Sequence, residues 1–430
     1  MNKKKIVLLI TEDKGGAGQG ILKVAQLLMD MNHEVAVLVR DKHTTLDFVH
    51  QYKEEKISFF EKISKKIFKL FNSKPRSKKV KLDPKYYFFG LDEISKNCSP
   101  KSIVKSIGFV PEVVISGWTS HFMNSNDLLA LQKYTKSKLF LIATDMNHYT
   151  GGCHYAWDCN GYIKGCGDFC PAILSQNDKK IAKKNFDIKY KNAQEGNFQM
   201  ISGSGWTLKQ TQESKIFKNQ ASFPNINSLI DTRIMNPSSR SSAKLNFGLN
   251  EDKFYILMGC QDGNDPRKGF EYLVKSLNLV YDELSEIDGE KIVILIVSSK
   301  KTIGFEEIKF NKTHLDFITE YSRLSLLYQS VNLFVNSSVE DSGPMMVSEA
   351  LACGTPVVGF DMGVVNNMVI TGFNGYKAIL KDSEDLAKGI KTIFQLSEKE
   401  YSKYSENGVN QVKKYSSFES AIEVFESILN

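Results

Sequence analysis

Across the 430 residues no uninterrupted apolar run approaches the roughly 18–20 residues that cross a bilayer, so no membrane-spanning helix is expected. Low-complexity tracts are missing too, and there is no internal repeat beyond an alternation of strand-like and helix-like runs. Proline is scarce, at 10 residues. With 42% hydrophobic and 24% charged residues, the composition is that of a globular protein too long for one ordinary core, and two domains are expected. The start, MNKKKIVLLI, has the basic flank of a signal peptide, but its apolar core from Ile6 to Ile10 is too short for one and gives way at once to TEDKGG. It reads as a first buried strand. The expected location is therefore cytoplasmic, where the seven cysteines would stay out of a disulfide framework.

Acidic charge is lacking in one place only. Between Tyr52 and Lys85 stand twelve Lys and Arg against four Asp and Glu, a net +8 in a chain whose total is +7, so the remainder is close to −1. Within this segment Ile57, Phe60, Ile63, Ile67, Leu70 and Phe71 recur at helical spacing, with Lys62, Lys65, Lys66 and Lys69 around them. A basic amphipathic helix of this kind suits an anionic membrane surface. A solvated surface helix packing its stripe on its own domain is the plain alternative. Nucleic acid is a third reading, but no base-stacking platform or reader motif accompanies the lysines, and it is not expected as a partner.

Both halves alternate β-runs with helical runs, the pattern of parallel sheets covered by helices. Strands are expected at KIVLLI, EVAVLV, EVVIS, KLFLIAT and FQMIS, then at FYILMG, IVILIVSS, LDFI, LFVNSS, PVVGF and YKAI. Helices are expected at 19–31, 125–135, 270–283, 324–330, 345–353, 383–395 and 417–429. Pro and Asn cluster in FPNINSLIDTRIMNP, which places a join near 223–237. The expected domains are 1–222 and 223–411, with the tail 412–430 returning to the first. In open parallel sheets ligands bind outside the carboxyl ends of the strands, so the strand-to-helix loops should carry the chemistry, facing a cleft between the halves.

One such loop reads EDSGPMMVSEALACGTPVVGF, from Glu340 to Phe360. Ser342-Gly343 suits a helix cap and Pro344 the first helical position, with Met346, Val347, Ala350 and Leu351 toward the core and Gly354 as terminator. The helix start, with its free N–H groups, is a ready phosphate site. Carboxylates there would repel phosphate, so Asp341 and Glu349 are expected to accept hydrogen bonds from hydroxyls. Hydroxyls and phosphates together describe a nucleotide sugar. The plain alternatives are a capping Asp341 and a solvated Glu349.

These residues resemble the signature of family 4 glycosyltransferases, Glu-x7-Glu followed by small-Gly-x-Pro-Val-Val, with Asp341 in the first acidic position and the usual Phe-Gly pair shifted to Ser342-Gly343-Pro344. The resemblance implies the GT-B fold (two Rossmann-like α/β domains of parallel sheet facing across a cleft) and transfer with retention of anomeric configuration. It implies that Glu349 binds the donor ribose and Asp341 the donor sugar, Glu340 sharing that role, with Ser342, Gly343, Pro344 and Met345 around the donor. After the strand FYILMG, the loop CQDGNDPRKGFEYL matches the end of the family's Arg/Lys pair at Lys268-Gly269. Cys260-Gln261 stands where the upstream arginine usually does, and Arg267 is the available replacement. Both cations would stabilise the leaving diphosphate. The alternative is an exposed basic helix start, which the helix dipole disfavours. Gly15 and Gly16, in TEDKGGAGQG, lack the spacing of a P-loop and resemble the family's glycine-rich turn at the sugar phosphate, an ordinary tight turn being the alternative.

Four cysteines, Cys153, Cys159, Cys166 and Cys170, crowd into TGGCHYAWDCNGYIKGCGDFCP, with His154 beside the first. Thiols so close suggest a tetrahedral structural zinc site, buried free cysteines being the alternative. The segment resembles a branch of family 4 from colanic-acid-type and other surface-polysaccharide clusters, with one extra residue between the last pair. Thr144 stands where many family members carry a histidine near the sugar; His121, His148 and His154 are nearby. Together these readings give a hexosyltransferase using a nucleoside-diphosphate sugar and a glycan or polyprenyl-diphosphate-linked acceptor. It would work at the inner face of the cell membrane with no metal required for the diphosphate. A catalytically degenerate scaffold for another transferase, and a zinc-stabilised nucleic-acid binder, stay open beside it.

Overall fold

The computed structural model describes residues 2–54, 80–88, 93–343 and 345–430. The lysine-rich stripe from Ile57 to Phe71, with Lys62, Lys65, Lys66 and Lys69, and Pro344 lie outside the described residues. The chain forms two units, one of Met1–Met200 and Thr211–Ser222, the other of Ile201–Gln210 and Phe223–Asn430.

The first unit is built on a six-stranded sheet of β1 (Lys5–Glu12), β2 (Glu34–Asp41), β3 (Val49–Gln51), β4 (Val113–Ser116), β5 (Lys138–Ala143) and β6 (Gln199–Ser202), in the spatial order β3-β2-β1-β4-β5-β6. β1 pairs in parallel with β2 and β4, and β4 with β5. The run Ile6–Ile10 is buried throughout, because helices cover both faces of a parallel sheet and leave no polar side to alternate with. The helix Gly15–Asp30 begins four residues before its expected start. The chain enters it within two residues of β1, since Asp13 is fixed by accepting from the backbone N–H groups of His43 (2.7 Å) and Thr44 (2.9 Å). Several helices had no counterpart in the sequence reading, among them Pro100–Ile107, Lys180–Gly196 and, in the second unit, Glu398–Tyr415.

The second unit repeats the plan with β7 (Phe254–Gly259), β8 (Ile292–Ser298), β9 (Asn311–Asp316), β10 (Leu333–Asn336), β11 (Val357–Phe360) and β12 (Gly375–Ala378), ordered β12-β11-β10-β7-β8-β9. Its core joins Leu257, Leu295, Phe334, Val347, Leu351, Val357 and Val365 around the sheet. The helix Phe418–Leu429 belongs to this unit, and just before it Ile230 donates its N–H to the Ser416 carbonyl at 2.7 Å. The strand expected at Leu315–Ile318 lies instead at Asn311–Asp316, in register with β8 from Val293↔Asn311 to Ser298↔Asp316. As the edge strand it keeps a half-exposed, polar sequence, so its apolar content was a poor guide to its limits.

Each sheet has the strand order of a doubly wound Rossmann unit, with the order reversing at β1/β4 and at β7/β10. Ligands in such sheets bind outside the carboxyl ends of the strands at the switch point. In the second unit that places the loops 260–269 and 337–343 side by side.

Candidate active site

After β7 the chain makes a short turn of 3-10 helix, Pro266–Lys268, capped by Asp265, whose carboxylate accepts from the Arg267 N–H at 3.0 Å and pairs with its guanidinium. Gly269 then adopts φ +58°, and a Cβ there would fall 2.1 Å from the Ser337 carbonyl oxygen, so no side chain fits. That close approach binds the two switch-point loops together. Ser337 Oγ donates to the Lys268 carbonyl at 2.8 Å, while the N–H groups of Val339 (2.8 Å) and Glu340 (3.3 Å) donate to the Arg267 carbonyl.

Their side chains meet as well. Lys268 Nζ lies 2.5 Å from Asp341 Oδ2, and Asp341 Oδ1 accepts from the Gly343 N–H at 3.2 Å. Burial pushes the Asp341 carboxyl up, but the charges of Lys268 and Arg267 and the two hydrogen bonds outweigh it and hold the group below its ordinary value. Glu340, Asp341, Ser342 and Arg267 are all buried. An exposed basic helix start, the plain alternative for Arg267 and Lys268, is therefore not what forms. Ser342 is held from behind by Ser204, whose hydroxyl donates to its carbonyl at 2.6 Å. Cys260, in the place of the upstream arginine, is buried, and burial pushes its thiol up to about 11.

The helix Met345–Ala352 turns Val347, Ala350 and Leu351 into the core as expected, but leaves Met346 only part-buried and buries Glu349 to 2% exposure. Glu349 is thus no solvated helix residue. The Tyr321 hydroxyl donates to its Oε1 and the Tyr328 hydroxyl to its Oε2 at 3.1 Å. Burial, and then the Glu349 charge, raise both phenols well above their ordinary value, so both remain donors. The sequence reading missed these tyrosines, although they stand seven apart on one helix (Tyr321–Ser330), two turns and one face.

Gly15 and Gly16 lie in the first unit, at the start of the helix that follows β1. Gly15 has φ +69°, and a Cβ at either glycine would meet open space. The glycine that backbone contact demands is Gly18, where a Cβ would come 2.7 Å from the Asp13 carbonyl carbon.

Cys153, Cys159, Cys166 and Cys170 are free thiols lining one cavity of about 10 Å³ in this unit. The N–H groups of Gly151 (3.2 Å) and Gly161 (3.4 Å) donate to the sulfurs of Cys166 and Cys159. Burial pushes the Cys166 thiol up to about 12 and raises those of Cys153 and Cys170. Among the described residues no three His, Cys, Asp or Glu side chains are arranged to hold a metal ion. His154 turns away from the thiols: its Nδ1 lies 2.6 Å from Asp145 Oδ2 and its Nε2 2.9 Å from Ser120 Oγ, all three residues being buried. No spacing in the sequence announced that contact. His148 is half-buried, with Nε2 3.1 Å from the Gly117 carbonyl.

Comparison with known proteins bears first on the second unit. Residues 244–411 match the family model for glycosyl transferases group 1. A D-inositol 3-phosphate glycosyltransferase of Paenarthrobacter aurescens (strain TC1) is 26% identical over 152 residues, 34% of this chain and 36% of that one. The corresponding protein of Arthrobacter sp. (strain FB24) is 25% identical over 152 residues, 34% and 35% of the two chains. The chain thus spans about a third of the length of the curated relatives it matches. Among solved structures, sucrose-phosphate synthase from Thermosynechococcus elongatus superposes with a TM-score of 0.65 at 14% identity, covering 99% of this chain and 98% of that one. Anabaena HepE in complex with UDP-glucose gives 0.60 at 13%, covering 99% of each. The lipopolysaccharide glycosyltransferase WaaG gives 0.61 at 12%, covering 97% and 99%. The fold is that of GT-B glycosyltransferases, and over residues 244–411 the chain is similar to glycosyl transferases group 1.

Proposed function

We propose that the protein is a retaining glycosyltransferase that moves a hexose from a nucleoside-diphosphate sugar to a glycan or polyprenyl-diphosphate-linked acceptor in cell-surface polysaccharide synthesis. The observation that carries the reading is the ion pair of Lys268 with Asp341, with Arg267 bonded through its carbonyl to the same loop, at the β7/β10 switch point ahead of the helix that carries Glu349. As the glycosidic bond breaks, negative charge gathers on the leaving diphosphate. Two fixed cations and the helix start at Met345 stabilise that charge without reorganisation. Glu349, oriented by two phenolic donors, is the carboxylate that accepts from the ribose hydroxyls. Asp341 and the neighbouring Glu340 accept from hydroxyls of the donor sugar. On this reading the diphosphate needs no divalent metal. Anabaena HepE, similar in fold, has been solved with UDP-glucose, which makes UDP-sugars the first donors to try.

The test is a thermal-shift screen of UDP-, GDP-, CDP- and TDP-sugars, followed by proton NMR of the sugar released or transferred from any donor that stabilises the protein. Stabilisation by one nucleotide class and a product with the donor's anomeric configuration are expected. A protein that binds no nucleotide sugar, or one that gives the inverted anomer, overturns the reading.

A further inference from the structure

In the second unit the segment Ile201–Gln210 backs onto the loop that carries Asp341. Ser204, with no exposed surface, caps the helix Gly205–Glu213. Its Oγ accepts from the Thr207 N–H at 3.2 Å, and Thr207 Oγ1 accepts in return from the Ser204 N–H at 3.1 Å. These are the reciprocal bonds of a capping box, with threonine in the place of the usual glutamate. A cap needs only the lone pairs of the serine oxygen. The hydroxyl proton goes elsewhere, to the Ser342 carbonyl at 2.6 Å, 138 residues further along the chain.

The residues around Ser204 are themselves pinned. The Ser228 N–H donates to the Gly203 carbonyl at 2.7 Å, and the Gly205 N–H donates to Asn367 Oδ1 at 3.2 Å. At this place Asn227 and Ser228 take φ +43° and +55°, two successive residues with side chains in the left-handed region. Such conformations are costly and persist only where the surroundings over-determine them. Ser228 also reaches the Asp341 loop: a Cβ on Gly343 would stand 3.3 Å from its Oγ and 3.3 Å from Val364 Cγ2. The loop therefore rests on a brace that is strained, buried and hydrogen-bonded.

We propose that Ser204 is a positioning residue for Asp341, acting through the single peptide group between Ser342 and Gly343. The carbonyl that Ser204 holds, and the N–H that Asp341 Oδ1 accepts at 3.2 Å, both belong to that group. A trans peptide is planar with its C=O and N–H pointing opposite ways, so fixing the carbonyl aims the N–H. A donor on the carbonyl also polarises the group and strengthens its N–H toward a carboxylate. Glycine at 343 makes the hold necessary, because a peptide next to glycine rotates with little steric resistance. Turned over, it would present its oxygen to Asp341 and drive the carboxylate from its place beside Lys268. A helix cap alone has no need of the bond to Ser342. The consequence for transfer rests on the proposed function, in which Asp341 meets the donor sugar; the hold on the loop does not.

The experiment compares the native full chain with S204A, S204G and T207V. Glycine caps a helix almost as well as serine but has no hydroxyl, so S204G removes the bond to Ser342 and keeps the cap. T207V does the reverse, breaking the capping box while Ser204 still donates to the carbonyl. Three quantities are read: the melting temperature, hydrogen exchange of the Gly343 amide in the ligand-free protein, and steady-state kinetics. The kinetics use the nucleotide sugar selected by the thermal-shift screen, UDP-glucose first, with its bare nucleoside diphosphate as inhibitor. In S204A and S204G the Gly343 amide should exchange about tenfold faster and KM for the nucleotide sugar should rise about tenfold, the weight of one hydrogen bond to a charged group. Inhibition by the bare diphosphate should not change. T207V should melt lower and keep native exchange and KM. Native exchange at Gly343 in folded S204G overturns the proposal, as does a T207V that matches S204A in exchange and KM, which would leave Ser204 a helix cap and nothing more. A native chain that uses no nucleotide sugar would count against glycosyl transfer, while the exchange rates would still decide the role of Ser204.

Discussion

Replacing Lys268 by Met separates two roles that the site joins in one residue. The substitution leaves the Asp341 carboxylate buried beside the Gly343 N–H that donates to its Oδ1. Breaking one side of a buried ion pair costs about 3–5 kcal/mol. The Lys268 and Asp341 side chains keep 22% and 12% exposure, so the lower end applies, about 3 kcal/mol, or a drop of roughly 6–12 °C in the melting of a unit of this size. On the proposed reading Lys268→Met also removes a cation from the leaving diphosphate, and turnover should fall by about 10²–10³-fold. The double variant Lys268→Met/Asp341→Asn then discriminates. It removes both charges, so most of the lost stability should return, whereas turnover should stay low because no cation has been restored. Melting curves and steady-state turnover on the four proteins of this cycle make the assay. If the double variant regains native turnover, Lys268 serves only to neutralise Asp341, and its role at the diphosphate is refuted.

Glu349→Gln keeps the shape of the site but removes the carboxylate, and calorimetry should show the donor binding about tenfold or more weakly, with little change in melting; unchanged affinity would exclude contact with the ribose. Burial holds His148 down at about 4 against an ordinary 6.5, despite the Asp145 charge, so the neutral ring contributes stability above pH 6.5 that drains away as the pH falls toward 4. The loss amounts to about 3 kcal/mol and should be absent from His148→Phe, a variant whose acid unfolding profile matches the native one being the contrary result. The four thiols around the small cavity are proposed to close on one structural zinc, which requires the sulfurs to move to about 2.3 Å from a common centre. Elemental analysis should find about one zinc per chain, lost in Cys166→Ser, and fully stable metal-free protein would return the cluster to buried free cysteines.

Much of the second unit was legible because its signals are local. The helix Phe270–Glu283 and the strand Phe254–Gly259 fall where periodicity put them, and Lys268-Gly269 and Asp341 stand on loops that a parallel sheet brings to one edge. What could not be read was partnership across the chain. Nothing in the spacing says that Lys268 will reach Asp341, 73 residues away, or that Tyr321 and Tyr328 will both turn to Glu349. Polarity misled at the edge strand Asn311–Asp316, where half the side chains face water. The helix Lys180–Gly196 passed unseen because its lysines hide a narrow apolar face of Ala182, Phe186 and Ala193. Gly18 passed for the opposite reason: its need for a bare Cα is imposed by the Asp13 backbone, visible only once the turn is folded.

Carboxylates at the mouth of a phosphate site look self-defeating until the pairing is considered. Arg267 is buried and Lys268 half-buried at this edge of the second unit, where an unpaired cation would be costly to hold. Asp265 and Asp341 each neutralise one of them, and both lie within the same two hydrogen-bonded loops, so the cations are pre-positioned without a standing excess of charge. On the proposed reading a diphosphate brings its own negative charge and would compete for these ammonium and guanidinium groups. Were Lys268 to turn toward it, Asp341 Oδ2 would be released beside the Gly343 N–H to take a sugar hydroxyl. On the proposed reading, phosphate and sugar recognition are therefore one exchange of partners: an anion without the sugar leaves Asp341 uncompensated, and the sugar without the anion finds it occupied. Asp341, which the sequence suggested as a sugar ligand, and Lys268, which it suggested as a phosphate ligand, are then two halves of a single switch, and that is why the Lys268→Met/Asp341→Asn cycle reads both roles at once.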